Sequence, residues 1–427
     1  MKQSIYQRAW MLLILLAMIL TSCSQISAEA EVLESDAPRN TSPSVTPQDR
    51  EKLASGNQAF ALDLYQALLK EEDGNLFYSP YSISAALAMT YAGARNETER
   101  EMAEVLHFTL PQERLHPAFN LLDLSLTGRG ADLEEEERGF QLNIANRLWG
   151  QKGYEFLPEF LDLLAENYGA GLRILDFEAD AEKARQIINE WVSDQTEEKI
   201  KDLIKKGILD GATRLVLTNA IYFNAKWRLP FQESVTKDGA FYQLDGSQVT
   251  VPFMNQTASF RYAEVEDAQV VELPYIGDEL SMVIFLPAEG SFETFEASLT
   301  AERVSEILAG LQNASVNLTM PKFEYESDFS LAEVLIEMGM PSAFGNAADF
   351  SGMDGTLNLA IKDVVHKAFV SVDEAGTEAA AATAVIMVEK AMMDMVDMQI
   401  DRPFIFMIQD FQTDTILFLG RVVNPAG

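Results

Sequence analysis

The stretch Asp373-Glu374-Ala375-Gly376-Thr377-Glu378-Ala379-Ala380-Ala381-Ala382-Thr383-Ala384-Val385-Ile386-Met387-Val388-Glu389-Lys390-Ala391-Met392, running on to Arg402, decides how this chain is read. By intrinsic propensity Glu378 to Met395 is a helix, because Ala, Met, Glu and Lys are among the best helix formers. Its flanks argue otherwise. Asp363 to Val372 before it and Phe404 onward after it read as apolar strands. The segment is therefore a connection of about thirty residues, and connections of that length in a compact domain are usually functional or unstructured.

Outward from this connection the chain divides by texture. From Gln48 to about Leu126 the pattern is helical, with Phe60, Leu64, Leu68 and Leu69 on one stripe. A further helix start stands at Ser79-Pro80, where serine caps and proline fits the first turn. After Gly139 strand runs dominate: Gln141 to Trp149, Arg214 to Phe223, Gln248 to Met254, Val270 to Pro274, Leu280 to Leu286, Ser315 to Tyr325, Asp363 to Val372 and Phe404 to Val423. Helical windows recur at Leu157 to Tyr168, Ala181 to Glu197, Ala301 to Leu311 and Phe329 to Met338. Helices first and long strands later, without strict alternation, predict an α+β fold with a mixed or antiparallel sheet. With no internal repeat and no second linker after Pro47, residues 48–427 read as one large domain.

Composition bounds what the domain does. Of 427 residues 48% are hydrophobic and 23% charged, enough apolar side chain for a large core and too much for a disordered chain. Thirty-two Lys and Arg against 66 Asp and Glu leave a net charge of −34, which repels a phosphate backbone and argues against a nucleic-acid partner. A single cysteine, Cys23, excludes an intramolecular disulfide and a thiolate zinc or iron–sulfur site. His107, His116 and His366 leave little for a metal, and neither metal nor cofactor is expected. The acidic run Glu134 to Glu137 reads as solvated surface. No G-x-S-x-G, H-E-x-x-H, phosphate loop or dinucleotide glycine fingerprint occurs. His116 precedes Pro117 in an expected loop, and His366 sits inside an apolar strand as a hydrogen-bonded core residue, so no enzyme is expected.

The N-terminus reads as an address. Lys2 and Arg8 precede an apolar run from Trp10 to Leu20, the charged and apolar regions of an export signal. As a helix that run spans only ~17 Å, too short for a ~30 Å hydrocarbon core. Leu20-Thr21-Ser22-Cys23 resembles the bacterial lipoprotein box, in which the signal is cut before a cysteine that carries diacylglycerol. On that reading residues 1–22 are a signal peptide, Cys23 is lipidated, and residues 23–47, rich in Ser, Thr, Glu and Pro, are a flexible tether. The expected location is extracytoplasmic, on a lipid anchor at the bacterial cell envelope or surface.

Nine blocks carry a family resemblance: Asn75 to Ser84 (NLFYSPYSIS), Gly93-Ala94-Arg95, Thr218 to Trp227 (TNAIYFNAKW), Val251-Pro252-Phe253-Met254, Met320-Pro321-Lys322-Phe323, Val365 to Phe369 (VHKAF), Asp373 to Ala379 (DEAGTEA), Arg402-Pro403-Phe404 and Phe418 to Pro425 (FLGRVVNP). In this order, from about residue 50 to the C-terminus, they resemble the serpins. The resemblance implies a large central mixed sheet with additional sheets, about nine helices, and an exposed reactive-centre loop, here about 374–402. It implies that a serine endopeptidase cleaves the loop as a pseudo-substrate, and that the cleaved loop inserts into the sheet with the acyl-enzyme attached. The partner is then a protease in covalent complex, and the inhibitor a monomer.

The residues permit such insertion. A loop becoming a central strand must keep alternate side chains small, since strand neighbours point to opposite faces. Thr377, Ala379, Ala381 and Thr383 share that phase, with Glu378 in the other; Gly376 supplies the backbone freedom where the strand folds over. In the family the bond cut lies seventeen residues along when the hinge glutamate is counted as the first, so the resemblance implies a reactive bond at Lys390–Ala391, which a trypsin-like protease would read, with Met387, Glu389 and Met392 as alternative cut sites. By resemblance Ser79, Ser82, Asn219 and His366 form a polar cluster under the opening point of the sheet, Trp227 packs where the loop enters, and Lys322 faces Glu374. A non-inhibitory serpin acting as a binding protein, and a cross-class inhibitor of cysteine proteases, are the alternative functions.

Overall fold

Thr46 opens the helical third. Its side chain accepts the amide of Asp49 while the Asp49 carboxylate accepts the amide of Thr46, a reciprocal cap that starts α1 (Pro47–Leu68). Leu53, Phe60, Leu64 and Leu68 turn one face of α1 into the core. Ser79 caps α2 (Pro80–Tyr91), a helix almost wholly buried. Helices α3 (Asn96–Val105) and α4 (Gln112–Thr127) complete the group. The computed structural model describes residues 31–129, 140–377 and 395–427.

Two sheets form the body. The first runs β1 (Glu31–Leu33), β4 (Leu172–Leu175), β3 (Phe140–Gln151), β5 (Leu215–Lys226), β13 (Gly376–Thr377), β12 (Ile361–Val372) and β11 (Phe323–Ser330). The second runs β14 (Met395–Gln399), β10 (Gln312–Pro321), β7 (Gln248–Val265), β8 (Ala268–Pro274), β9 (Leu280–Pro287), β15 (Phe404–Asp410), β16 (Thr415–Val422) and β2 (Leu76–Tyr78), with β6 (Lys237–Tyr242) beside β7. Pairing is mixed: β5 with β12 is parallel, β5 with β3 antiparallel. Helices α5 (Pro158–Tyr168), α6 (Phe177–Gln195), α7 (Phe292–Ala297), α8 (Ala301–Ala309), α9 (Ala332–Met338) and α10 (Ser351–Asp354) bring the count to ten among the described residues. The fold is α+β, as its helices-then-strands texture predicts, and one apolar cluster joins both sheets to α1 and α2. None of the described helices is long and apolar enough to cross a membrane.

Four local expectations differ from the structure. Ser315 to Tyr325 is two strands in different sheets, because the chain changes sheet at Lys322, whose amide turns to the Pro252 carbonyl. Phe329 lies in β11, which runs to Ser330, instead of starting a helix, and α9 begins at Ala332. His116 and Pro117 lie inside α4, where the proline gives up one amide bond in an otherwise well-packed helix.

The fourth is the tether. Its described part, from Glu31 on, is docked: Val32 pairs with Arg173 at the edge of the first sheet, the Ser35 hydroxyl meets Asp162, Arg39 reaches Asn120 (3.0 Å) and Asp123 (2.6 Å), and the Asn40 amide donates to the Glu166 carbonyl at 2.9 Å. Backbone groups at an open sheet edge take a partner whether or not the partner sequence advertises a strand.

Candidate functional site: the loop hinge and the polar cluster beneath it

Strands β5 and β12 pair in parallel from Leu215 and Ile361 up to Ile221 and Ala368. Above that level β13 stands between them, with Thr377 opposite both Val372 and Ala225 and Gly376 opposite Lys226. The first residues of the long connection are thus already a strand in the centre of the sheet. Thr377 is 1% exposed, and its hydroxyl lies 2.7 Å from that of Tyr275. Burial pushes the Tyr275 hydroxyl well above its usual pKa, which keeps it protonated. Gly376 is required by close approach: a Cβ there would lie 2.0 Å from the Ala225 carbonyl oxygen and 2.8 Å from Lys226 Cα.

The turn before β13 is pinned on every side. Asp373 Oδ1 accepts the amides of Ala375 (2.8 Å) and Gly376 (3.2 Å), and the Asp373 amide donates to the Gly376 carbonyl. Trp227 stacks on Tyr275 with ring centres 4.7 Å apart, donates its indole N–H to the Asp373 carbonyl (3.0 Å) and its amide to that of Ala375 (2.9 Å). Glu374 lies between Lys322 Nζ and Thr236 Oγ1, each at 2.7 Å, and its carbonyl accepts the Phe231 amide. Burial acts to raise the Glu374 carboxyl, but the Lys322 and Thr236 hydrogen bonds outweigh it and hold the group below the usual carboxylate range.

Beneath the point where β5 and β12 part lies a buried polar cluster. The Ser79 amide donates to His366 Nε2 (3.2 Å), which leaves Nδ1 to carry the proton and donate to Asn219 Oδ1. Asn219 Nδ2 passes the chain on to Ser82 Oγ (2.7 Å) and Asn146 Oδ1 (2.6 Å), and Asn146 Nδ2 donates to the Ser82 carbonyl (3.0 Å). Burial holds the His366 imidazole down at about 3, so it is neutral. Three strands and one helix start meet here: His366 on β12, Asn219 on β5, Asn146 on β3, Ser79 and Ser82 at the head of α2.

The structure therefore brings together Ser79, Ser82, Asn219 and His366 in one network, and Glu374, Gly376, Thr377, Trp227 and Lys322 in another. Ala379, Ala381, Thr383, Lys390 and Ala391 of the loop, and Cys23, lie outside the described residues. Sequence reasoning missed Asn146, Tyr275, Thr236 and Asp373. Asn146 carried a signal, a polar residue in the middle of an apolar strand run; Tyr275 and Thr236 come from elements remote in sequence and carried none. Among the described residues no group of three or more His, Cys, Asp or Glu is placed to hold a metal. Both ring nitrogens of His366 are engaged inside the core, which leaves no lone pair to act as a general base toward a substrate. What this arrangement can do is mechanical: it opens a slot between two strands and seats the start of a third.

A family profile described as Serpin (serine protease inhibitor) matches residues 55–425. The chain belongs to the serpin family. An uncharacterized serpin-like protein of Thermococcus kodakarensis is 44% identical over 370 residues, covering 86% of this chain and 84% of that protein. The leukocyte elastase inhibitor of Sus scrofa is 42% identical over 385 residues, covering 88% of this chain and all of the inhibitor. Among solved structures, human thyroxine-binding globulin in complex with thyroxine superposes with a TM-score of 0.80 at 33% identity, covering 89% of this chain and 100% of that one.

Proposed function

We propose that the protein is a suicide-substrate inhibitor of trypsin-like serine endopeptidases, acting as a monomer on a lipid anchor at Cys23 after removal of residues 1–22. The protease serine attacks the Lys390 carbonyl; the Lys390–Ala391 bond breaks, an ester forms to the serine oxygen, and the serine proton leaves on the Ala391 amine. Before water hydrolyses the ester, residues beyond Thr377 follow it into the slot between β5 and β12. Over residues 374–390 that is a displacement on the order of 50 Å at ~3.3 Å per residue. The trapped protease, deformed at its active site, does not release the acyl bond.

The observation that carries this reading is Thr377, seated between β5 and β12 behind a glycine that admits no Cβ, because it is the first step of the insertion the mechanism requires. Small residues in the same phase at Ala379, Ala381 and Thr383 support its continuation. The roles follow: Glu374, Gly376 and Thr377 as hinge, Trp227 and Lys322 as the contacts at the opening, and Ser79, Ser82, Asn219 and His366 as the cluster that lets the strands part.

Incubation with trypsin is expected to give an adduct that survives boiling in detergent, with peptide mass spectrometry placing the ester at Lys390. Cleavage with no adduct marks a substrate and rules the reading out. Nicked protein is expected to melt well above intact protein; equal melting temperatures have the same consequence.

A further inference from the structure

The docked segment ahead of α1 fixes where the chain enters the fold. Glu31 pairs with Ile174, Ile174 with Gly150, and Gly150 with Leu215, so Glu31 is level with the start of β5. The hinge is level with its other end, where Thr377 faces Ala225. Ten residues of strand, ~33 Å, separate these two poles of the sheet. Extending the observed register of β13 against β5, in which each step forward in one is a step back in the other, puts residue 387 opposite Leu215 and Lys390 three positions beyond. Insertion therefore ends at the pole where Glu31 enters. With strands ~4.8 Å apart, the ester at Lys390 arrives four strands, ~19 Å, from the line of β1.

If Cys23 is the lipid attachment point, only eight chain steps separate the lipidated residue from Glu31, a reach of at most ~29 Å. A protease domain of roughly 200 residues is about 40 Å across. The leash is shorter than the cargo. We infer that the anchored protein stands on the membrane with its insertion pole down and its intact loop up, and that trapping carries the protease from the far side of the domain onto the bilayer. The partner this pole faces is a lipid surface, and the anchored inhibitor is an inward-delivering trap. This inference rests on the proposed lipidation and insertion and adds the direction of transport.

Because Cys23 is the only thiol, chain 23–427 couples at one site to a maleimide phospholipid in phosphatidylcholine vesicles. The first measurement needs no protease. Lys152 and Lys183 share a cavity of about 480 Å³ with Glu31, whereas exposed Lys237 follows Thr236, the hydroxyl partner of Glu374 at the hinge. In amine footprinting, coupling is expected to lower labelling of Lys152 and Lys183 at least threefold relative to Lys237. Equal change at both ends overturns the orientation.

The second measurement follows energy transfer from dye-labelled trypsin to an acceptor lipid. Transfer is expected to be greater in the covalent complex than in the encounter with trypsin lacking its serine hydroxyl, which stays at the loop. A twenty-four-residue Gly/Ser insertion between Ala28 and Glu29 is expected to abolish most of that difference. Lower or equal transfer in the complex, or a difference indifferent to the insertion, overturns the inference. Failure of uncoupled 23–427 to form any covalent complex defeats the inhibitory reading instead, and the footprint still decides the orientation.

Discussion

The hydroxyls of Tyr275 and Thr377 stand 2.7 Å apart between two strands that, a few residues lower, pair directly with each other. That bond closes the sheet around β13, the first strand residues of the long connection. Thr377→Arg would bury a guanidinium at a position that is almost wholly closed to solvent. The variant is expected to be cut at Lys390 as fast as the parent while its yield of boiling-resistant complex with trypsin falls at least tenfold. Thr377→Val keeps the shape and loses only the bond; it should cost the intact protein ~1–2 kcal/mol and keep the complex. Retained trapping by the arginine variant is incompatible with side-chain-limited insertion.

Gly376→Ala tests the backbone half of the same contact. The added carbon overlaps the Ala225 carbonyl and the Lys226 Cα, neither of which is a flexible side-chain end, so β13 must leave the sheet. The amides of Trp227 and Phe231, which donate to the carbonyls of Ala375 and Glu374, then lose their acceptors. Hydrogen exchange at these two amides is expected to quicken tenfold or more. Unchanged protection there means that the glycine is not what admits the hinge.

Lys322 and Glu374 hold the turn before β13 across 2.7 Å, with the carboxylate buried and the ammonium about one-third exposed. Lys322→Met leaves the carboxylate with Thr236 as its side-chain partner, and at pH 7 the intact protein should lose ~1–3 kcal/mol. Since the folded carboxyl titrates below its ordinary 4.5, this contribution is present above pH 4.5 and disappears as pH falls below it. Denaturant midpoints of parent and variant are therefore expected to converge as the pH falls below 4.5; a gap that stays constant on acidification shows the lysine acting by packing alone.

Much of this was legible in the order of residues. The Ser79-Pro80 helix start is a local rule, and the structure follows it. In the Glu378 to Met395 stretch, of which residues 378–394 lie outside the described ones, propensity alone does not decide, because the same alanines suit a helix and an inserted strand. What was not legible depended on tertiary pairing. Glu31-Val32-Leu33 is too short to show a period, and it is a strand because β4 offers an open edge. Tyr275 and Thr236 reach the hinge from elements about a hundred or more residues away, so no spacing betrays them. Asn146 was visible as a polar intruder in β3, but its partner Asn219 is set by strand register, which a single strand run does not reveal.

His366 and His116 are both buried and held down at about 3 by desolvation, against 6.5 in an unfolded chain. For such a base the folded form refuses a proton that the unfolded form accepts. Stability is therefore fully present above pH 6.5 and is lost progressively as pH falls toward 3, at up to about 1.4 kcal/mol per pH unit for each histidine. Protonating His366 Nε2 would also set two donors face to face, since the Ser79 amide already points at it. Between pH 7.5 and 5 the parent should lose stability with acid through both histidines, opposed by Glu272 and Asp363, whose carboxyls burial raises. His366→Gln is expected to be less stable at pH 7, by ~1–3 kcal/mol for the disturbed network, yet to lose stability with acid less steeply than the parent. Denaturant midpoints across this range measure both effects, and an undiminished acid slope in the variant means that His366 takes up its proton while the fold is intact.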